Sequence, residues 1–172
     1  KGNAEKIPTL RAAFAKDGTI TAANSSSISD GASAMLLASE SAVETHNLKP
    51  MARIVAHARF SRAPEEFTLA PVGAVEKLLA NTGWSANDVD LWEINEAFAM
   101  VTMLAMQAFN LDHDKVNVHG GACAQGHPIG STGSRILVTL AHALEHYGKQ
   151  RGIAALCIGG GEATAVALER VV

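Results

Sequence analysis

The chain has 172 residues, of which 48% are hydrophobic and 18% charged, with a formal net charge of -3. This composition is globular rather than disordered, and the length suits one domain around a single core. The slightly acidic balance argues against a basic nucleic-acid surface and a polybasic membrane anchor. No apolar run reaches the roughly 18 residues needed to cross a bilayer.

Lys1-Gly2-Asn3-Ala4-Glu5 has no initiating Met and no signal-peptide core, and reads as mid-chain loop, so a truncated chain is expected. From Ile7 to Asp17 nothing periodic stands out, and residues 1–20 are read as an arm that closes against another part of a larger protein. Asp30 to Glu44 is expected to be a helix, with Asp30 as cap and Ala34, Leu37, Ala38 and Ser41 on one face. Beyond Pro50, Ala52–Ala58 is expected as a strand. Pro71–Asn81 reads as a helix with Pro at its start and Gly83 just past its end.

Val89–Ile94 is a short strand, and Phe98–Asn110 a helix with Val101, Leu104, Ala105 and Ala108 in a stripe. Lys115–His119 is expected as a strand. Ser131–His146 is the clearest helix, turning Ile136, Leu137, Leu140 and Leu144 one way. Ile153–Ile158 suits a strand buried on both faces, and Thr164–Val172 follows through Gly159-Gly160-Gly161 as its hairpin partner. Strands alternate with helices, which gives an α/β class with a sheet layered between helices.

Three glycine-rich stretches carry chemical side chains. The first runs from Gly120 to Gly133 and holds His127 between Gly126 and Pro128. A histidine fixed in this way can accept a proton or donate to an oxyanion, or can simply brace a tight turn. Phosphate binding is disfavoured, because no Gly-Lys-Ser/Thr follows. The second stretch is Cys157-Ile158-Gly159-Gly160-Gly161. It sets a thiol beside backbone N–H groups able to hold an oxyanion, with a small buried hydrophobe as the plain alternative. A nearby imidazole would lower the thiol pKa and let it move protons. The third is Trp92 to Ala99, where Asn95 either caps the next helix or offers its amide to a water or substrate. Glu96 is placed in that helix's first turn, where the helix dipole favours a carboxylate.

The two cysteines, Cys123 and Cys157, form no Cys-x-x-Cys pair, so neither a disulfide scaffold nor a zinc site is expected. Reduced thiols fit a cytoplasmic protein. His119 lies next to the first glycine stretch and is a minor site candidate. His57, His113, His142 and His146 are read as surface or capping residues, and spacing alone does not bring Arg53, Arg59 or Arg62 to a ligand.

Together, Asn95–Phe98, Gly126–Gly130 and Cys157–Gly161 resemble the thiolases, in the order and near the spacing of that family. The likeness extends over nearly the whole chain and includes Leu10–Ala22 and Asn24–Gly31. The Gly-His-Pro-Ile-Gly form is similar to acetyl-CoA acetyltransferases of the biosynthetic type. The resemblance implies a fold of two similar α/β halves, with this chain as the C-terminal half and the nucleophilic cysteine on the N-terminal half. It implies that His127 activates that nucleophile, Cys157 is the acid/base, Asn95 holds an oxyanion-hole water, and Gly159 N–H belongs to a second oxyanion hole. Ser26 would meet the pantetheine arm of coenzyme A, with Ala97 and Phe98 lining the same channel. The implied substrate is an acyl-CoA thioester with no further cofactor, and the intact enzyme would be a homodimer or homotetramer. Ala163, Ser27 and Ala23 stand where glycine is frequent, which bears on substrate range more than on the reaction. Ketoacyl synthases, which pair two histidines, fit less well because of Cys157. A non-catalytic acyl-CoA-binding module of the same fold is the other reading.

Overall fold

In the computed structural model, described for residues 3–171, a four-stranded mixed sheet lies between helices. A 3-10 helix at Ala4–Thr9 opens the chain, and helix α1 covers Glu40–Thr45. Strand β1 (Ala52–Ser61) leads through a 3-10 turn into α2 (Ala70–Thr82). Strand β2 (Leu91–Ile94) and α3 (Ala99–Phe109) follow. The short α4 (Ala122–Gln125), α5 (Thr132–His146), and the hairpin of β3 (Arg151–Ile158) and β4 (Glu162–Arg170) complete the order. The sheet order is β1-β4-β3-β2, antiparallel except for the parallel β3–β2 pair.

Side-chain alternation along the strands separates two apolar clusters. Ile153, Ala155 and Cys157 of β3 join Ala163, Ala165 and Ala167 of β4 against α2 and α3. Ala154 and Leu168 pack against Ile136, Leu140, Ala143 and Leu144 of α5, with Leu156 beside them. The alanine-rich face of β4 leaves room for α2 to approach closely. Gly73 of α2 shows the limit, since a Cβ there would stand 2.5 Å from the Phe60 ring. At the end of α2, Gly83 takes the left-handed conformation (φ 69°) expected of a residue just past a helix.

Three expected elements differ. The helix over 30–44 shrinks to Glu40–Thr45, and residues 31–39 are irregular. Tertiary contacts take the backbone instead. Ser26 N donates to Ala97 O (3.2 Å), and His127 N donates to Ser27 O (2.8 Å). Ser33 Oγ bonds Ser131 Oγ at 2.7 Å, and Ser39 caps the later helix start through Ala42 N. Leu36 and Leu37 are exposed, so the supposed apolar face is not a core face.

The strand over 115–119 is a single bridge, Val116 to Trp92, after a 3-10 turn at His113–Lys115. Asn117 ends it with φ 49°. The α3 stripe is Val101, Thr102 and Ala105, while Ala108 is exposed. Val172 of the final strand lies outside the described residues.

Candidate active site

The parallel strands β2 and β3 end side by side, and Asn95 N donates to Ala155 O (2.9 Å) just beyond β2. This places Asn95 at the strand end where the chain turns toward α3. Neither Asn95 nor Glu96 caps that helix, because the cap position is Phe98. Asn95 is 1% exposed, and its Oδ1 is buried without a protein partner. A buried amide oxygen in that state is a ready acceptor for a water or substrate proton.

His127 arrives from the glycine stretch between α4 and α5. Its Nδ1 lies 2.7 Å from Thr132 Oγ1, which donates its own hydrogen to Pro128 O at 3.0 Å. The Thr132 hydroxyl has one proton, so this pattern assigns the imidazole proton to Nδ1. Nε2 is then a lone-pair acceptor, and it lies 3.4 Å from Asn95 Nδ2. Burial first, and then the Arg135 charge, lower the His127 pKa below its ordinary value, which keeps the ring neutral. A neutral ring with an unprotonated Nε2 is the form a general base requires.

Cys157 sits at the end of β3, opposite Ala163 and two residues past the carbonyl that binds Asn95. Burial raises its pKa, so the thiol stays protonated in this chain. Among the described residues no hydrogen bond joins Cys157 to His127 or Asn95, and the expected imidazole-lowered thiol is not seen. Gly159 is exposed in the β3–β4 turn, with open space where a Cβ would stand. Cys123, in α4, is pushed up to about 11 by burial and by Glu96.

Ser26 comes together with Ala97 and Phe98, which lie just past Asn95 in the chain. Ser26 Oγ donates to Ala97 O at 3.0 Å, and Ser25 bridges Phe98. The Phe98 ring meets Phe67 and Phe14 edge to face, with centroids 6.3 and 5.8 Å apart. His119 goes elsewhere. It stacks on Tyr147 just past the far end of α5, about 20 Å along that helix from Thr132. Arg53 and Arg62 lie on or next to β1, at the opposite edge of the sheet, and pair with Glu169 and Glu66.

Sequence reading missed Glu93, which lies inside the apolar-looking run Leu91–Ile94. It is 2% exposed, 3.6 Å from Arg135, and raised to about 7 chiefly by burial. The folded protein holds this proton between the ordinary value of 4.5 and about 7, where the unfolded chain has released it. Stability therefore falls as pH rises through that window, by on the order of 3 kcal/mol. Denaturant titrations at pH 5 and 8 are expected to show the drop, and Glu93→Gln to flatten it. An equal drop in the variant would assign it to other groups.

The family model described as thiolase, C-terminal domain, matches residues 48–170, and the one for the thiolase N-terminal domain matches residues 1–41. A probable acetyl-CoA acetyltransferase of Dictyostelium discoideum is 50% identical over 97% of this chain and 40% of its own length. The mitochondrial acetyl-CoA acetyltransferase of Rattus norvegicus is 46% identical over 96% of this chain and 39% of its own. The crystal structure of the Bacillus anthracis acetyl-CoA acetyltransferase superposes with a TM-score of 0.95 at 43% identity, over 98% of this chain and 43% of that one. The Acat5 thiolase of Ascaris suum, solved with coenzyme A, gives 0.89 at 43% identity, over 97% and 44%. The chain thus spans about two-fifths of the length of the relatives it matches. With the asparagine, histidine and cysteine motifs in order along the chain, and the C-terminal domain matched over 48–170, the chain belongs to the thiolase family.

Proposed function

We propose that these residues form the acid/base part of an acetyl-CoA acetyltransferase, catalysing reversible Claisen condensation and thiolysis of short acyl-CoA thioesters. The nucleophilic cysteine stands on an N-terminal half outside the 172 residues, and both thiols present here have raised pKa values. The observation that carries the reading is the His127 ring, fixed by Thr132 with its Nε2 free to accept and facing the buried Asn95 amide.

In the condensing direction, His127 takes the proton of the external thiol, and the thiolate attacks the thioester carbonyl. The coenzyme A thiolate leaves and takes the proton of the Cys157 thiol, giving an acyl-cysteine and a Cys157 thiolate. A second acetyl-CoA then loses an α-proton to the Cys157 thiolate. The resulting enolate, held by oriented N–H donors that include Gly159, attacks the acyl-cysteine and expels its thiolate, which takes back the proton held by His127. Each oriented donor contributes about 3 kcal/mol at the oxyanion. Ser26, Ala97 and Phe98 line the pantetheine channel. Coenzyme A thioester is substrate, and no other cofactor or metal takes part.

Residues 1–20 form an arm toward the N-terminal half. The intact enzyme is a homodimer or homotetramer in the cytoplasm, although relatives include both cytosolic and mitochondrial proteins. The test is acetoacetyl-CoA cleavage by the full-length protein in the presence of coenzyme A. A folded full-length protein that neither cleaves acetoacetyl-CoA nor forms it would overturn the reading. A second reading for these residues alone is acyl-CoA binding without turnover, because the nucleophile of the proposed reaction is not among them. Calorimetric titration with coenzyme A distinguishes it.

A further inference from the structure

Glu96 lies in sequence between Asn95 and the Ala97–Phe98 pair, and its carboxylate is held by Asn117 and Cys123. Oε1 accepts from Asn117 Nδ2 at 3.1 Å, and Oε2 accepts from Cys123 N at 3.0 Å. The Cys123 thiol returns a weak bond to Glu96 O at 3.8 Å. Gly121 is the floor of this cradle, because a Cβ there would overlap the carboxylate. Gly121 has φ -122° and ψ -171°, extended backbone that any residue adopts, so the missing Cβ answers to space alone.

Asn117 is fixed on its other side. Its Oδ1 accepts from Ile94 N (2.8 Å), and its Nδ2 donates to Ile94 O (2.9 Å), as a neighbouring strand would. Its backbone N donates to Trp92 O at 2.8 Å, and its carbonyl accepts from Gly120 N at 2.7 Å. The carboxylate thus links the strand end before Asn95 to the short helix before His127. Two segments more than 20 residues apart in sequence are closed onto each other by one side chain.

We propose that Glu96 is a positioning residue that sets the Asn95–His127 separation by holding Asn117 and the Cys123 backbone together. The proposal rests on the acyl-transfer reading of the site. It makes a sharp demand on chemistry, because both partners are donors and both need an acceptor. Glutamine has nearly the same shape but only one acceptor oxygen, so its NH2 must face one of the two donors. Asn117 cannot turn to relieve this without breaking both bonds to Ile94.

The experiment uses the full-length protein. Glu96→Gln is expected to lower kcat for acetoacetyl-CoA thiolysis about 10- to 100-fold, as sub-ångström to ångström displacement of a catalytic pair does, with KM for coenzyme A within about twofold. Gly121→Ala should act in the same direction by pushing the carboxylate away. The double variant Glu96→Ala/Gly121→Ala should be no slower than Glu96→Ala, because the added methyl then fills the vacated space. The 15N resonances of the His127 imidazole should move in Glu96→Gln while circular dichroism stays native. Wild-type kcat in Glu96→Gln, or losses that multiply in the double variant, would overturn the proposal. If the wild-type protein has no thiolase activity, the acyl-transfer reading fails, and the imidazole resonances alone decide about Glu96. Unmoved resonances in Glu96→Gln then overturn it.

Discussion

Replacing His127 by alanine is expected to lower kcat for acetoacetyl-CoA thiolysis by about 10²- to 10⁴-fold, the range for loss of a positioned general base. The ring does more than occupy the site. Thr132 fixes the proton on Nδ1, and burial with Arg135 holds the pKa low. Both effects leave Nε2 unprotonated at neutral pH. A base whose pKa is lowered keeps working further into acid, so the acidic limb of kcat/KM should fall below the ordinary histidine value of 6.5. Thr132→Val keeps the shape of the side chain but removes the Nδ1 partner, so a smaller loss is expected from it than from His127→Ala. A pH–rate profile of the wild-type enzyme and both variants checks this. An unchanged kcat in His127→Ala would remove the histidine from the mechanism.

Cys157→Ser is expected to separate the two halves of the reaction. A hydroxyl preserves the size of the thiol but is a far weaker acid, so α-proton removal should slow by about 10²- to 10⁴-fold. Acylation by the first substrate depends on His127, and the coenzyme A thiolate can leave and be protonated by water, so acylation should survive. The measurement is deuterium uptake into the acetyl methyl of acetyl-CoA, set beside the yield of acyl-enzyme. Loss of both together would give Cys157 a structural role. The site offers a reason to expect separation, because no hydrogen bond links Cys157 to the His127–Asn95 pair among the described residues. Burial keeps Cys157 protonated at rest, so the chain holds it in its proton-donating form before the condensation begins.

The fold was readable wherever local pattern and tertiary demand agree. Helix α5 buries Ile136, Leu140 and Leu144 as the spacing predicts, and the apolar run Ile153–Ile158 is a strand covered on both faces as far as Cys157, with Ile158 exposed at its end. The hairpin of β3 and β4 followed from the three glycines between them. Failures came where distant contacts decide. The alanines and leucines of 32–38 have helical propensity, but the backbone just before them is bonded to Ala97 and His127, more than 70 residues away. Propensity is a weak prior against such bonds. Asn117 ended an expected strand by turning left-handed, which a valine-flanked asparagine does not announce in sequence.

The site shows the same division. The motifs named Asn95, His127 and Cys157, but the sequence does not reveal which atoms meet. The tautomer of His127 depends on Thr132, five residues on, whose hydroxyl has no mark in sequence that sets it apart within the glycine stretch. Glu93 was invisible because a single acid in Leu91–Ile94 looks like the solvent side of an alternating strand. In fact all four residues of that strand are covered, so the carboxylate faces Arg135 with no water side.

The extended stretch around residues 24–33 gives the protein a division of labour. Both apolar clusters draw on residues from Ala52 onward, so the apolar core contains no residue of this stretch. The backbone at His127 and at the start of α3, by contrast, is tied to Ser27 and Asn24. What keeps the molecule folded and what keeps its reactive groups aligned are therefore written in different portions of the polypeptide. Change can accumulate in residues 24–33 with the core intact while the alignment is lost, so endurance to heat is no guide to fitness for chemistry.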